Sequence, residues 1–280
     1  MNNPIGVFDS GVGGLTVVSE IMRQLPGENL VYFGDTARVP YGSKSKKTVL
    51  KYSKQIVRFL KTKNVKAIVV ACNTASALAL DEIAEELDIP IIGVVKPGAK
   101  MAVETTKTGN VGVIGTESTV KSGIYNDYIR ELDSDVTVVS KPCPLFVPLV
   151  EEGLLEDRVT DAIVGRYLRV MKEYKVDSLV LGCTHYPLIS NAIERFMGKR
   201  VKLVNPAFET AKSLKELLTE QGMLNTSKQK PEYQYYVSDG VEKFISFADS
   251  VLPYHVTNTE IVDIESYKRF SGRDVTGKNS

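Results

Sequence analysis

Val69-Val70-Ala71-Cys72-Asn73-Thr74 and Val180-Leu181-Gly182-Cys183-Thr184-His185 follow one pattern: an apolar run of strand length, a small residue, a cysteine and two polar residues. A continuous apolar run, as opposed to an alternating one, suits a strand covered on both faces, as in a parallel sheet. The polar residues that follow mark a turn into a helix. A second match lies upstream of each copy. Ile5-Gly6-Val7-Phe8-Asp9-Ser10 parallels Val111-Gly112-Val113-Ile114-Gly115-Thr116, each ending in a hydroxyl residue. Further apolar runs at 30–33 and 91–95 complete the first series, and runs at 136–139 and 201–204 complete the second. Between them lie amphipathic segments of helix length, such as 44–61, 74–87 and 157–174. Alternating strands and helices imply an α/β architecture with parallel sheets.

The repeat predicts two similar α/β domains, with boundaries near Lys96-Pro97-Gly98 and Asn205-Pro206. The first comprises 1–96, and the second 97–206. The last part contains a helix, a strand at 233–237, another helix and a short run at 260–263. The second series is already complete by then, so 207–270 is expected to pack back on the first domain. The tail, 271–280, is polar and glycine-containing and is expected to be disordered.

Composition narrows the function classes. The chain has 280 residues, 43% of them hydrophobic, with 35 basic and 34 acidic side chains giving a formal net charge of +1. That balance removes the electrostatic case for nucleic acid, although Lys44, Lys46 and Lys47 form a short basic run. No stretch approaches the roughly 18 apolar residues of a membrane span, and the N-terminus lacks a signal-peptide pattern. A cytoplasmic, thiol-reducing location is therefore expected. Three cysteines, none at Cys-x-x-Cys spacing, and two histidines make a disulfide framework or a metal site improbable on spacing grounds.

In open parallel sheets ligands bind beyond the carboxyl ends of the strands. Asp9-Ser10, Asp35, Cys72-Asn73-Thr74, Thr116 and Cys183-Thr184-His185 all occupy such ends. If the domains face each other, the two cysteines reach one cleft from opposite sides. A cysteine ending an apolar run is ordinarily a small buried hydrophobe. Cys143, between Pro142 and Pro144 and without a repeat partner, is read that way. Cys72 and Cys183 are read as functional because each recurs in the other half, and a helix N-terminus behind each is expected to favour thiolate. The glycines of Asp9-Ser10-Gly11-Val12-Gly13-Gly14 permit a tight turn with exposed N–H groups, suited either to an anion or to nothing beyond the turn. Asp9 tips that balance towards proton steering. Pro40-Tyr41-Gly42-Ser43 offers a hydroxyl and amides in the loop after the second strand. Glu151 and Glu152 alone read as solvated surface, and His255 carries no motif.

Four stretches together resemble a known family: Phe8-Asp9-Ser10-Gly11-Val12-Gly13-Gly14-Leu15-Thr16, Gly34-Asp35-Thr36-Ala37-Arg38-Val39-Pro40-Tyr41-Gly42, Ala71-Cys72-Asn73-Thr74-Ala75-Ser76 and Leu181-Gly182-Cys183-Thr184-His185-Tyr186-Pro187-Leu188. They resemble the glutamate racemases of the cofactor-independent aspartate/glutamate racemase superfamily. The resemblance implies interconversion of L- and D-glutamate without a cofactor, supplying D-glutamate for peptidoglycan. It implies two pseudo-twofold-related α/β domains and, by analogy with dimeric relatives, a homodimer. Cys72 would take the α-proton from the D-isomer and Cys183 from the L-isomer. Asp9 would assist Cys72 and His185 would assist Cys183, with Glu151 near His185. Substrate contacts would come from Asp9, Ser10, Tyr41, Gly42, Ser43, Asn73, Thr74, Thr116, Thr119, Thr184 and His185.

The physical logic is consistent with that reading. Inverting a stereocentre through a planar carbanion needs a base on one face and a proton donor on the other. Two rivals remain from the residues alone. A cysteine hydrolase using Cys72 and His185 would leave Cys183 without a purpose, and a non-catalytic binding protein would need neither thiol.

Overall fold

The computed structural model describes residues 2–227 and 229–268; the tail 271–280, expected to be disordered, lies outside them. Among the described residues the strands are β1 (Ile5–Asp9), β2 (Leu30–Gly34), β3 (Ala67–Val70), β4 (Ile91–Gly93), β5 (Asn110–Gly115), β6 (Thr137–Pro142), β7 (Ser178–Gly182), β8 (Lys202–Val204), β9 (Tyr233–Val237) and β10 (Thr259–Ile261). The helices are α1 (Leu15–Gln24), α2 (Lys46–Thr62), α3 (Asn73–Ala84), α4 (Val95–Thr105), α5 (Glu117–Ser122), α6 (Ile124–Leu132), α7 (Phe146–Glu151), α8 (Arg158–Glu173), α9 (Ser190–Met197), α10 (Pro206–Glu220) and α11 (Val241–Val251). None of them is long and apolar enough to cross a membrane.

All strand pairs are parallel, in two sheets ordered β10-β9-β2-β1-β3-β4 and β6-β5-β7-β8. The fold is α/β, with one such sheet in each of two halves. The apolar runs are explained by cover on both faces. Ala67, Val69 and Ala71 pack with α1, α10 and α11, whereas Ile68 and Val70 pack with α2 and α3. Gly6 takes the place of a side chain where Leu60 and Val65 press in, each 3.2 Å from where its Cβ would sit.

One boundary differs from the sequence reading. The run 91–95 predicts a strand to Val95, but β4 stops at Gly93 and Val95 opens α4. Gly93 lies flat against α3, with Ser76 Oγ 2.1 Å from the position of a Cβ. Lys96-Pro97-Gly98 thus forms the first turn of a helix that leads from one sheet to the other. Pro97 is tolerated because first-turn N–H groups lack helical partners anyway.

A buried ion pair ties the bottom of the first sheet to the segment after α10. Lys66 Nζ lies 2.6 Å from Glu28 Oε2, with the side chains 2% and 3% exposed. Lys66 also donates to the Met223 carbonyl, and Glu28 Oε1 accepts from the Asn225 N–H. Removing one partner strands the other charge in the interior, at about 3–5 kcal/mol. Lys66→Met should therefore lower urea stability by that amount, and adding Glu28→Leu should recover much of it. A single variant within about 1 kcal/mol of the parent would show that the pair is not a buried charge pair in this sense.

Candidate active site

The two sheets share the strand order 2-1-3-4 over β2-β1-β3-β4 and β6-β5-β7-β8. Chain connections leave the two central strands in opposite directions in such a sheet, so a crevice opens beyond their carboxyl ends. Asp9 ends β1, Cys72 follows β3, Thr116 follows β5 and Cys183 follows β7. The two crevices face each other. Thr74 Oγ1, from the first, lies 2.9 Å from Thr116 Oγ1 and 3.2 Å from Thr119 Oγ1, from the second. Tyr125 donates its hydroxyl across the same junction to Asn73 Oδ1 at 2.7 Å, and Thr16 Oγ1 donates to the Thr184 carbonyl at 3.1 Å.

Cys72 is the N-cap of α3 and its sulfur accepts from the Ala75 N–H at 3.4 Å. Ser10 Oγ is 3.5 Å from the same sulfur. Cys183 differs from the expectation of a matching helix N-terminus. It precedes only a short 3₁₀ turn, Tyr186–Ile189, and does not cap an α-helix. Its sulfur faces His185 Nδ1 at 3.9 Å.

The expectation of favoured thiolates is also corrected. Burial pushes the Cys72 thiol up to about 11, with the Asp9 charge adding to the rise, while Ser10 and the Ala75 and Ser10 amides oppose it. Cys183 is pushed up as well, first by burial and then by the charges of Cys72, Asp9 and Glu151, against the His185 N–H. Loss of solvation outweighs the amides at a helix end. The same causes link both sulfurs to one carboxylate.

Asp9 is fully buried and its carboxyl is raised by desolvation. His185 and the amides of Gly11, Gly14 and Ser10 pull it back towards the charged form. Its Oδ2 accepts from the Gly11 N–H at 3.0 Å, and Thr184 Oγ1 approaches Oδ1 at 3.5 Å. Part of the glycine loop thus serves Asp9, leaving less of it for a free anion. Gly13 has a different use. A Cβ there would stand 2.4 Å from Thr184 Oγ1 and 2.5 Å from His185 Nδ1, so only glycine lets the loops after β1 and β7 meet. Gly42 plays the same part against Thr116, whose Cβ lies 2.5 Å from the position of the missing one.

Beyond Cys183 the imidazole continues into a chain of contacts. His185 Nε2 is 3.2 Å from Glu151 Oε1 at the end of α7. The imidazole, followed by Lys243, holds the Glu151 carboxyl down at about 2. Glu151 is therefore more than the solvated residue its sequence context suggests.

A cavity of about 300 Å³ lies at the mouth of the junction. Val39, Pro40, Gly42 and Ser43 line it from the first half, and Thr116, Val147, Pro148 and Glu151 from the second. Tyr41 is turned away from it. Its ring is 1% exposed within the first core, and its hydroxyl donates to Asp35 Oδ2. Its carbonyl accepts from the Lys44 N–H at 2.9 Å, so the cavity is lined by its neighbours Pro40 and Gly42. Asp35 also accepts from Arg38 Nε at 2.8 Å and Ser238 Oγ at 2.9 Å, which pins the loop carrying Gly42 and Ser43. The sequence puts Asp35 at a strand end but carries no sign of this clamp, whose partner Ser238 lies far along the chain. Cys143 sits fully buried in the second core, and His255 meets Asp249 on the surface.

Comparison with known proteins gives the family and the fold. The family model for Asp/Glu/Hydantoin racemases matches residues 5–214. A glutamate racemase of Geobacter metallireducens is 47% identical over 264 residues, spanning 94% of this chain and 98% of that protein. The crystal structure of glutamate racemase from Francisella tularensis in complex with D-glutamate superposes with a TM-score of 0.89 at 41% identity, covering 95% of this chain and 99% of that one. Glutamate racemase isoform RacE1 from Bacillus anthracis gives a TM-score of 0.90 at 41% identity, covering 93% and 97%. The chain belongs to the Asp/Glu/hydantoin racemase family.

Proposed function

We propose that this chain interconverts L- and D-glutamate by a two-base mechanism, Cys72 serving the D-isomer and Cys183 the L-isomer, and that it supplies D-glutamate for peptidoglycan. The observation that carries the reading is the pairing of two buried thiols at equivalent strand ends of facing sheets, both within the field of one carboxylate. The substrate's α-carbon lies between the sulfurs, so that a proton leaves one face as another arrives at the opposite face.

The raised thiols fit such a cycle. A thiol at about 11 makes its thiolate cost about 5 kcal/mol at neutral pH. The substrate's ammonium attracts a thiolate, and its α-carboxylate, on the same carbon, opposes this except where the site's amides and hydroxyls take up that charge. Substrate binding thus offsets part of the cost once its carboxylates are paired, which favours the reactive thiolate in the occupied site. Asp9 on the Cys72 side and His185 on the Cys183 side hold or relay the proton, with Glu151 behind His185. The hydroxyls of Ser10, Thr74, Thr116, Thr119 and Thr184, the amide of Asn73, Ser43, and the main chain of Tyr41 and Gly42 bind the carboxylates and the carbanion they flank.

Incubation with L-glutamate in deuterated water tests the reading. D-glutamate carrying α-deuterium is the expected product, with L-aspartate in parallel turning over far more slowly. Absence of both inversion and α-exchange with glutamate would sink the proposal, and faster turnover of aspartate would reassign the substrate.

A further inference from the structure

Helix α11 connects β9 to β10 in the first sheet, yet two of its side chains reach the second half of the molecule. Lys243 Nζ lies 3.0 Å from Glu151 Oε2. Phe247, one helical turn later, places its ring 6.0 Å from the His185 imidazole, tilted by 56°. Side chains four apart lie on one helix face, so α11 grips two neighbouring members of the chain that leads to Cys183. Phe247 also packs against the cores of both halves.

The plainest alternative is an ordinary surface ion pair, since Lys243 is 62% exposed, and such pairs contribute little to stability. Its partner is not ordinary. Glu151 is only 17% exposed, and its other oxygen is engaged with His185 Nε2 at 3.2 Å. This carboxylate also borders two cavities, the main cleft and a smaller one of about 130 Å³ lined by Gly11, Val12, Asp239 and Lys243. Without the ammonium, Oε2 loses its partner and the carboxylate, bordered by two cavities, is held through the imidazole alone. The ion pair therefore bears on orientation more than on stability.

We infer that Lys243 and Phe247 are positioning residues for the Cys183 side of the site, holding Glu151 and the His185 ring in register with that sulfur across the two halves. The inference rests on the proposed two-base racemisation. It makes half of the proton relay depend on contact between α11 and the other domain.

The two directions of turnover separate this role from a structural one. Enantiomers have an equilibrium constant of one, so any variant must lose kcat/KM equally in both directions. The defect shows instead in which proton transfer limits the rate. Lys243→Met should lower kcat/KM about tenfold, raise the primary isotope effect with α-deuterated L-glutamate and lower it with the D-isomer. Lys243→Arg should restore parent behaviour, and Phe247→Leu should shift the isotope effects in the same sense as Lys243→Met. The imidazole nitrogen resonances of His185, one of only two histidines, should move in Lys243→Met without any substrate. Unmoved resonances, or isotope effects unchanged or changed alike in both directions, would overturn the inference. A parent protein that does not racemise glutamate would instead overturn the functional proposal, and the resonance measurement would still decide the positioning role.

Discussion

Cys183→Ser is expected to lower racemisation by about 10²–10⁴-fold, the range associated with loss of a positioned acid or base. A hydroxyl is similar in shape to the thiol, so the packing around Cys183, 7% exposed in the second core, should survive. What changes is acidity. A serine hydroxyl is far harder to ionise than a thiol, and burial here already raises the thiol. Cys72 remains intact in the variant, flanked by Ser10 and the Ala75 amide. It should still remove and return a proton on its own face. The variant should therefore exchange the α-hydrogen of D-glutamate with solvent slowly and without inversion. Cys72→Ser should mirror this by exchanging the L-isomer. Proton NMR in deuterated water reads both results at once. Near-parental inversion in either variant would remove that cysteine from the mechanism.

Gly13→Ala is the second large effect, and it isolates the meeting of the two loops. Gly13 is not among the residues with positive φ, so alanine suits the backbone there. The obstacle lies across the junction, where the new methyl would stand 2.4 Å from Thr184 Oγ1 and 2.5 Å from His185 Nδ1. Relief requires the loops after β1 and β7 to part by something on the order of 1 Å, a displacement that costs about 10²-fold in rate when reacting groups must stay aligned. Each half keeps its own core, so thermal unfolding should change little. The expected result is a fall of about 10²-fold in kcat/KM with a nearly unchanged melting temperature. Activity within a few fold of the parent would show that the loops have slack that the distances do not suggest.

The fold is legible in the chain where cover on both faces forces a visible pattern. β1, β3, β5 and β7 are central strands, so their residues must be apolar without alternation, and the runs ending at Asp9, Cys72, Thr116 and Cys183 stand out. The cysteines were legible as a pair because the repeat puts them at equivalent ends. Tyr41 shows the opposite case. Its motif marks it as part of the loop, but which way the hydroxyl turns depends on Asp35, and the clamp on Asp35 is completed by Ser238. Lys243 is less legible still. No motif surrounds it, and its relation to Glu151 arises only when α11 is laid against the other half.

By itself the sequence determined the alternation of strands and helices, the duplicated pattern and the residues at the strand ends, because backbone pairing and burial act locally and repeat along the chain. The tertiary structure alone decided the state of the two thiols. Desolvation and the field of Asp9 depend on what is packed around each sulfur from both halves, and they reverse the effect that a helix N-terminus would have on its own. It also brought together beside Cys183 a ring, a carboxylate and an ammonium drawn from three separate parts of the chain.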